Sequence, residues 1–412
     1  MKVSDFPSSS SNDVTSSELS STASVSENHS PKSILPAAST KAPASSPESL
    51  ICFSHLRWNF VYQRPQHLMS RASRQMNVYF LEEPIWGNEL RVEVRQEDER
   101  LKVIVPHIPH GTPHQEVLAY LRRTVDQLIE SERIAEYVAW YYTPMALDFS
   151  DHLTPTYTVY DCMDELSAFL GAPRELIDME AKLMTRADQV FTGGYSLYEA
   201  KRTRHDHAHA FPSSIDFAHF AKARQRDTDS AQADPTDQAH IPHPRIGFSG
   251  VIDERFDVQL LRELANRRPE WQFVLLGPIV KIDPATLPKN DNIHYLGMKN
   301  YKELPTYFGG WDVAMLPFAL NASTRYISPT KTPEYLAAGL PVVSTPIRDV
   351  VRTYGEPDFV QIAATVDAFD TAIEKALNKA HPTNWAAIDQ FLSEHSWDKT
   401  WEGMESCIVK NN

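Results

Sequence analysis

SPTKTPEYLAAGLPVVSTP, residues Ser328 to Pro346, is the stretch on which the reading of the chain turns. Thr332 is expected to be an N-cap, Pro333 suits the first helical position, and Gly339 followed by Pro341 stops the helix after about two turns. PVVS then reads as a buried strand. Loop, short helix, glycine turn and strand is the layout of an α/β ligand site. Free N–H groups at such a helix start attract anions, and Lys331 adds a full positive charge beside them. The amides of Ser328 to Thr332, with Ser328, Thr330 and Thr332 themselves, are therefore candidate contacts for a phosphate. Glu334 in the first turn has two readings. Either it accepts hydrogen bonds from sugar hydroxyls of the same ligand, or it only complements the helix dipole.

The same stretch resembles the donor-site segment of GT-B glycosyltransferases of the retaining, family-four kind, in which the glutamate before a small-residue AAG-PVV run holds the donor ribose. FSHLRWNFVYQRPQHLMSR (Phe53 to Arg71) resembles the N-terminal signature of bacterial cell-surface glycosyltransferases of that superfamily. VYDCMDELSAF (Val159 to Phe169) and GFSGVIDERFD (Gly247 to Asp257) are similar to further segments of the subgroup. The resemblance implies two Rossmann-like, doubly wound α/β domains facing each other across a cleft. One departure stands out: relatives usually carry another glutamate eight residues before the ribose-binding one, and Tyr326 occupies that position here.

Composition narrows the function classes. A chain of 412 residues holds two ordinary domains plus tails. A net charge of -14 argues against holding nucleic acid by general electrostatics. Cys52, Cys162 and Cys407 are odd in number and far apart, which suggests neither a disulfide framework nor a cysteine metal site. No apolar run approaches the roughly 18 residues of a spanning helix, and the N-terminus lacks the pattern of a signal peptide. The expected location is cytoplasmic, with any membrane contact peripheral at the inner face.

In chain order, residues 1–48 are Ser-rich and short of large apolar side chains, and are expected to form a disordered tail. Residues 49–220 read as an N-terminal Rossmann-like acceptor domain. It opens with the strand LICFSHL and a helix from about Arg64 to Gln75. Arg57, Trp58, Arg64 and Tyr142 fall at strand ends where open α/β sheets bind ligands, and are candidate acceptor contacts. Asp161, Asp164 and Glu165 are candidate catalytic or hydroxyl-binding carboxylates, with helix capping and turn formation as the plain alternative. His205, His207 and His209 alternate without an acidic or cysteine partner at ligand spacing, a weak metal pattern, and no metal site is expected. Residues 221–244 read as a linker, in which Asp227 and Asp229 form a DTD triplet of no expected function.

Residues 245–394 alternate strand and helix and read as the C-terminal donor domain, followed by a closing helix over 395–412 that, by resemblance, crosses back to the first domain. Gly250 and Arg255 lie after its first strand, where a glycine admits a ligand to the backbone and an arginine forks onto diphosphate. The expectation is a retaining, metal-independent transferase that moves a sugar from a nucleoside-diphosphate sugar, a co-substrate rather than a cofactor, to a cell-surface polysaccharide or lipid-linked glycan precursor. Arg255 and Lys331 would stabilise the leaving diphosphate. A non-catalytic nucleotide-sugar-binding protein and a GT-B-fold sugar-nucleotide epimerase are the rival readings.

Overall fold

The structure is a computed structural model that describes residues 47–225, 234–378 and 384–409. Among them, fifteen strands form two sheets. The first contains β1 (Ser49–Ser54), β2 (Asn77–Glu82), β3 (Ile85–Gly87), β4 (Arg91–Asp98), β5 (Leu101–Pro109), β6 (Tyr137–Tyr141), β7 (Tyr157–Cys162), β8 (Gln189–Thr192) and β9 (Ala208–Ala210). Their order is β3-β5-β2-β1-β6-β7-β8-β9, parallel throughout except for the hairpin partner β4. The second contains β10 (Arg245–Ser249), β11 (Gln272–Leu276), β12 (Ile293–Gly297), β13 (Val313–Leu316), β14 (Val342–Ser344) and β15 (Gln361–Ile362), in the order β12-β11-β10-β13-β14-β15.

Burial on both faces explains the short, nearly unbroken apolar strands. In β1, Ile51 and Phe53 enter the core on one face, and Leu50 and Cys52 enter the core on the other. β11 divides likewise, with Val274 and Leu276 on one side and Phe273 and Leu275 on the other. In both sheets the order reverses around the first strand, between β1 and β6 and between β10 and β13. Ligands of doubly wound sheets bind at the carboxyl ends of strands at such switch points.

The helix of the opening stretch spans Lys331–Ala337, with Thr330 at its cap, two residues earlier than read. Pro333 therefore sits inside the first turn. This is tolerated because the first helical N–H groups have no intrahelical partner to lose. Gly339 at φ +80° ends the helix as expected.

The segment read as a linker differs from expectation. Ala221–Gln225 forms a short 3-10 turn, and the DTD triplet lies outside the described residues. From Asp234 onward the chain is anchored: Gln238 is fully buried, donating to the Tyr307 carbonyl and accepting from Trp311 Nε1. The closing helix Trp397–Val409 lays Trp401, Met404 and Ile408 onto the core of the first sheet, and Arg71 of the Arg64–Ala72 helix pairs with its Asp398.

Candidate functional site

The carboxyl ends of both sheets line one cleft of about 850 Å³. From the first sheet come Met163 and Asp164 after β7 and Gly193 after β8, together with Gln63 and Arg64. Gly250 and Arg255 after β10, and Ile327 to Lys331 before the Lys331 helix, form the opposite wall. A second cavity of about 370 Å³ continues from it past Gly250 and Lys331, between Tyr62, Gly277, Pro278 and Tyr301.

Gly250, Arg255, Ser328, Thr330 and Lys331 thus share one wall, as their spacing suggested. Lys331 Nζ reaches Glu334 Oε2 at 2.6 Å, and both side chains are buried. Burial pushes the Glu334 carboxyl up from its ordinary range, and Lys331 opposes that shift. Arg255 is gripped by Asp253, Nη2 to Oδ2 at 2.6 Å, and its guanidinium lies 5.2 Å from the Phe169 ring of the other domain. Thr332 is instead fully buried within the helix and its Oγ1 has no partner, so it does not line the cleft.

The first-domain candidates divide. Asp164 lines the cleft, and burial raises its pKa to about 6 against the pull of Arg255. Asp161 does not reach it: the fully buried carboxylate takes Arg64 Nε and Nη2 at 3.0 and 2.8 Å. Arg64 also donates to the Phe211 carbonyl, so its fork is consumed although it borders the cleft. Glu165 pairs with buried Lys201 at 2.6 Å, which also holds Glu180. Tyr142 is buried in the core beneath the closing helix, and Trp58 packs edge-on against Phe80 at 5.1 Å. Arg57 turns to Glu82 and to the Glu83 and Pro84 carbonyls. Strand alternation is the physical reason for Tyr142 and Asp161, whose side chains face the helical layer rather than the open edge.

Sequence reasoning passed over several cleft residues. Tyr301 and Tyr62 meet across the two domains at 4.6 Å with their rings tilted by 31°, and the Tyr301 hydroxyl is buried without a partner. Outside the cleft lining, Lys281, after β11, approaches the same Phe169 ring as Arg255 at 5.2 Å. These contacts join residues far apart in the chain and carry no local pattern. Tyr326, at the position of the usual glutamate, packs against the core of the first sheet under Arg325. The histidines are occupied otherwise: His205 bonds the Ala187 carbonyl and His209 bonds Gln189.

Residues 243–379 match the family described as Glycosyl transferases group 1. Over 290 residues the chain is 24% identical to TuaH of Bacillus subtilis (strain 168), named as a teichuronic acid biosynthesis glycosyltransferase, covering 66% of this chain and 67% of that one. Sucrose-phosphate synthase from Thermosynechococcus elongatus superposes with a TM-score of 0.66 at 13% identity, over 88% of this chain and 99% of that one. A trehalose-6-phosphate structure from E. coli, bound with UDP-2-fluoro glucose, gives 0.63 at 10% identity over 88% and 99%. The matched residues contain Gly250, Arg255, Lys331 and Glu334, so the wall of the cleft built by the second sheet is the part similar to group 1 glycosyl transferases, on a chain with the GT-B fold.

Proposed function

We propose that the protein transfers a sugar from a nucleoside-diphosphate sugar to a glycan acceptor, a cell-surface polysaccharide or lipid-linked precursor, with retention and without a metal ion. The observation that carries this reading is Lys331 beside Arg255 on one wall of a two-domain cleft, with Glu334 buried behind Lys331 and paired to it. The smaller cavity, with Pro278, Met298 and Tyr301 on its walls, suits a nucleoside base. Diphosphate would then lie against Lys331 and Arg255, whose positive charges offset the charge developing on the leaving group. Glu334 would accept hydrogen bonds from donor hydroxyls. Retention would follow from attack on the face the leaving group departs, with the departing phosphate oxygen taking the acceptor proton. Asp164, on the first-domain wall, would orient that acceptor. TuaH, named for a cell-envelope polymer, favours an envelope glycan as acceptor.

Tyr326, packed into the first domain where relatives carry an acid, favours a second reading as a non-catalytic nucleotide-sugar binder. A thermal-shift panel of UDP-, GDP- and dTDP-sugars tests donor binding, since a ligand at 100 times its dissociation constant adds about 2.7 kcal/mol. Transfer or hydrolysis of the stabilising donor, with the product anomer read by NMR, separates catalyst from binder. A panel in which no nucleotide sugar raises the melting temperature would refute both.

A further inference from the structure

We propose that a crevice of about 860 Å³ beside β1 binds an uncharged, hydroxyl-bearing amphiphile, and that this is the apolar part of the acceptor. The binding site stands on its own geometry. Calling its occupant the acceptor rests on the glycosyltransferase reading above.

The crevice lies where the order of the first sheet reverses. Its floor is Phe53 and Ser54 of β1 with Leu81 and Glu82 of β2, and its far side is Thr143 and Met145 after β6. The helix His114–Ser131 roofs it with Val117, Leu118 and Leu121. At the mouth, Trp86 is 48% exposed and Ile85, its neighbour on β3, is 37% exposed, an apolar sill in contact with water.

Charge selects the class of occupant. No lysine or arginine lines the crevice. Of its carboxylates, Glu82 is already held by Arg57 and Arg95, and Glu83 is exposed to water. Asp148 sits exposed at the rim. A phosphate would find no lysine or arginine here, only His114 at the start of the roofing helix, and would forfeit its hydration. Apolar walls with Glu83, Thr143 and Ser54 among them suit a chain or ring that carries hydroxyls.

The crevice and the cleft share no lining residue, but one short stretch of chain joins them. Residues 55–63 leave its floor at Ser54 and arrive on the cleft wall at Val61 and Gln63. His55, the first of that loop, holds a buried Nδ1 with no partner. A hydroxyl of a molecule anchored in the crevice and reaching toward the cleft would supply the missing donor.

The test is calorimetry on the full chain with n-octyl β-glucoside below its micellar concentration, octyl phosphate and glucose, repeated on Leu118→Trp and Trp86→Ala. Octyl glucoside should bind, octyl phosphate at least tenfold more weakly, and glucose not measurably. Leu118→Trp, which fills the crevice, should lose octyl glucoside at least tenfold with the nucleotide-sugar thermal shift unchanged. Should that variant fail to fold, Trp86→Ala at the exposed mouth should still weaken binding severalfold. Equal binding of octyl phosphate, or octyl glucoside binding unchanged in both variants, overturns the site. If octyl glucoside binds as expected but neither accepts sugar nor inhibits transfer, the acceptor assignment falls while the transferase reading stands.

Discussion

Lys331 Nζ lies 2.6 Å from Glu334 Oε2, one turn apart on a short helix, with both side chains nearly shut off from water. If the nucleotide sugar binds at this wall, each is the other's stand-in for a ligand. A diphosphate would draw Lys331 away, and the released carboxylate would be free to accept hydroxyl protons. The burial that raises the Glu334 pKa makes an unpaired carboxylate there costly, so exchange of partners couples the two contacts.

Glu334→Gln keeps shape but removes charge assistance worth roughly 1.5 to 3 kcal/mol for bonds to a charged group. Donor affinity or turnover should fall about tenfold to a hundredfold. Melting temperature should also fall, because Lys331 loses its buried partner, so kinetics decide between the two readings of this residue. Unchanged donor kinetics would leave Glu334 as a stabiliser of the helix alone.

Asp164 offers a test by pH. Its pKa is raised by burial to about 6, so the folded state prefers the neutral acid. Stability from this group is present below its unfolded pKa, near 3.8, and is lost as pH rises through about 6. Asp164→Asn should match the parent in urea unfolding at acid pH and exceed it by about 1 to 3 kcal/mol at pH 7. A parent more stable than the variant at pH 7 would mean that Arg255 outweighs burial.

Arg64→Met should cost about 3 to 5 kcal/mol, since it leaves the Asp161 carboxylate buried and unpaired. Arg64→Met/Asp161→Leu should recover most of that loss. Full recovery of stability would establish the pair as structural, and a double variant as unstable as the single would point to a further role for one partner in the fold.

The architecture was legible because it rests on local signals. Alternating apolar strands and helices, and Gly339 with Pro341 closing the Lys331 helix, are written within a few residues. Arg255, Lys331 and Gly250 were legible for the same reason, each lying beside a strand end or helix start. What failed was the choice among polar residues at strand ends in the first domain. Asp161 and Asp164 are three positions apart, yet one is sealed beneath Arg64 and the other lines the cleft. Asp161 lies within β7 and is sealed by Arg64, 97 residues away in sequence, whereas Asp164 lies past the end of the strand. Phe169 under Arg255, and Tyr62 on Tyr301, join separate domains and leave no trace in local spacing.

If the diphosphate is held by Arg255 and Lys331, transfer should persist in EDTA, and Arg255→Met should lower donor affinity by about tenfold or more. Activity lost in chelator and restored by manganese would assign the charge compensation to a metal.

Gly277 gives the sharpest separation of donor binding from folding. It sits after β11 at φ +141°, a backbone conformation that side chains rarely adopt. A Cβ there would run into the carbonyl oxygen of Gly250, so the loops after β10 and β11 approach one another only because residue 277 is glycine. Both residues line the smaller cavity, and Gly250 also lines the cleft. Gly277→Ala must push these walls apart or twist them, while the core residues Leu275 and Leu276 behind the loop keep their places in separate layers. Donor affinity should therefore fall at least tenfold, read as loss of the nucleotide-sugar thermal shift, with the circular dichroism spectrum retained. A Gly277→Ala protein that is folded and binds nucleotide sugar as tightly as the parent would show that the donor does not occupy the cavity between these loops.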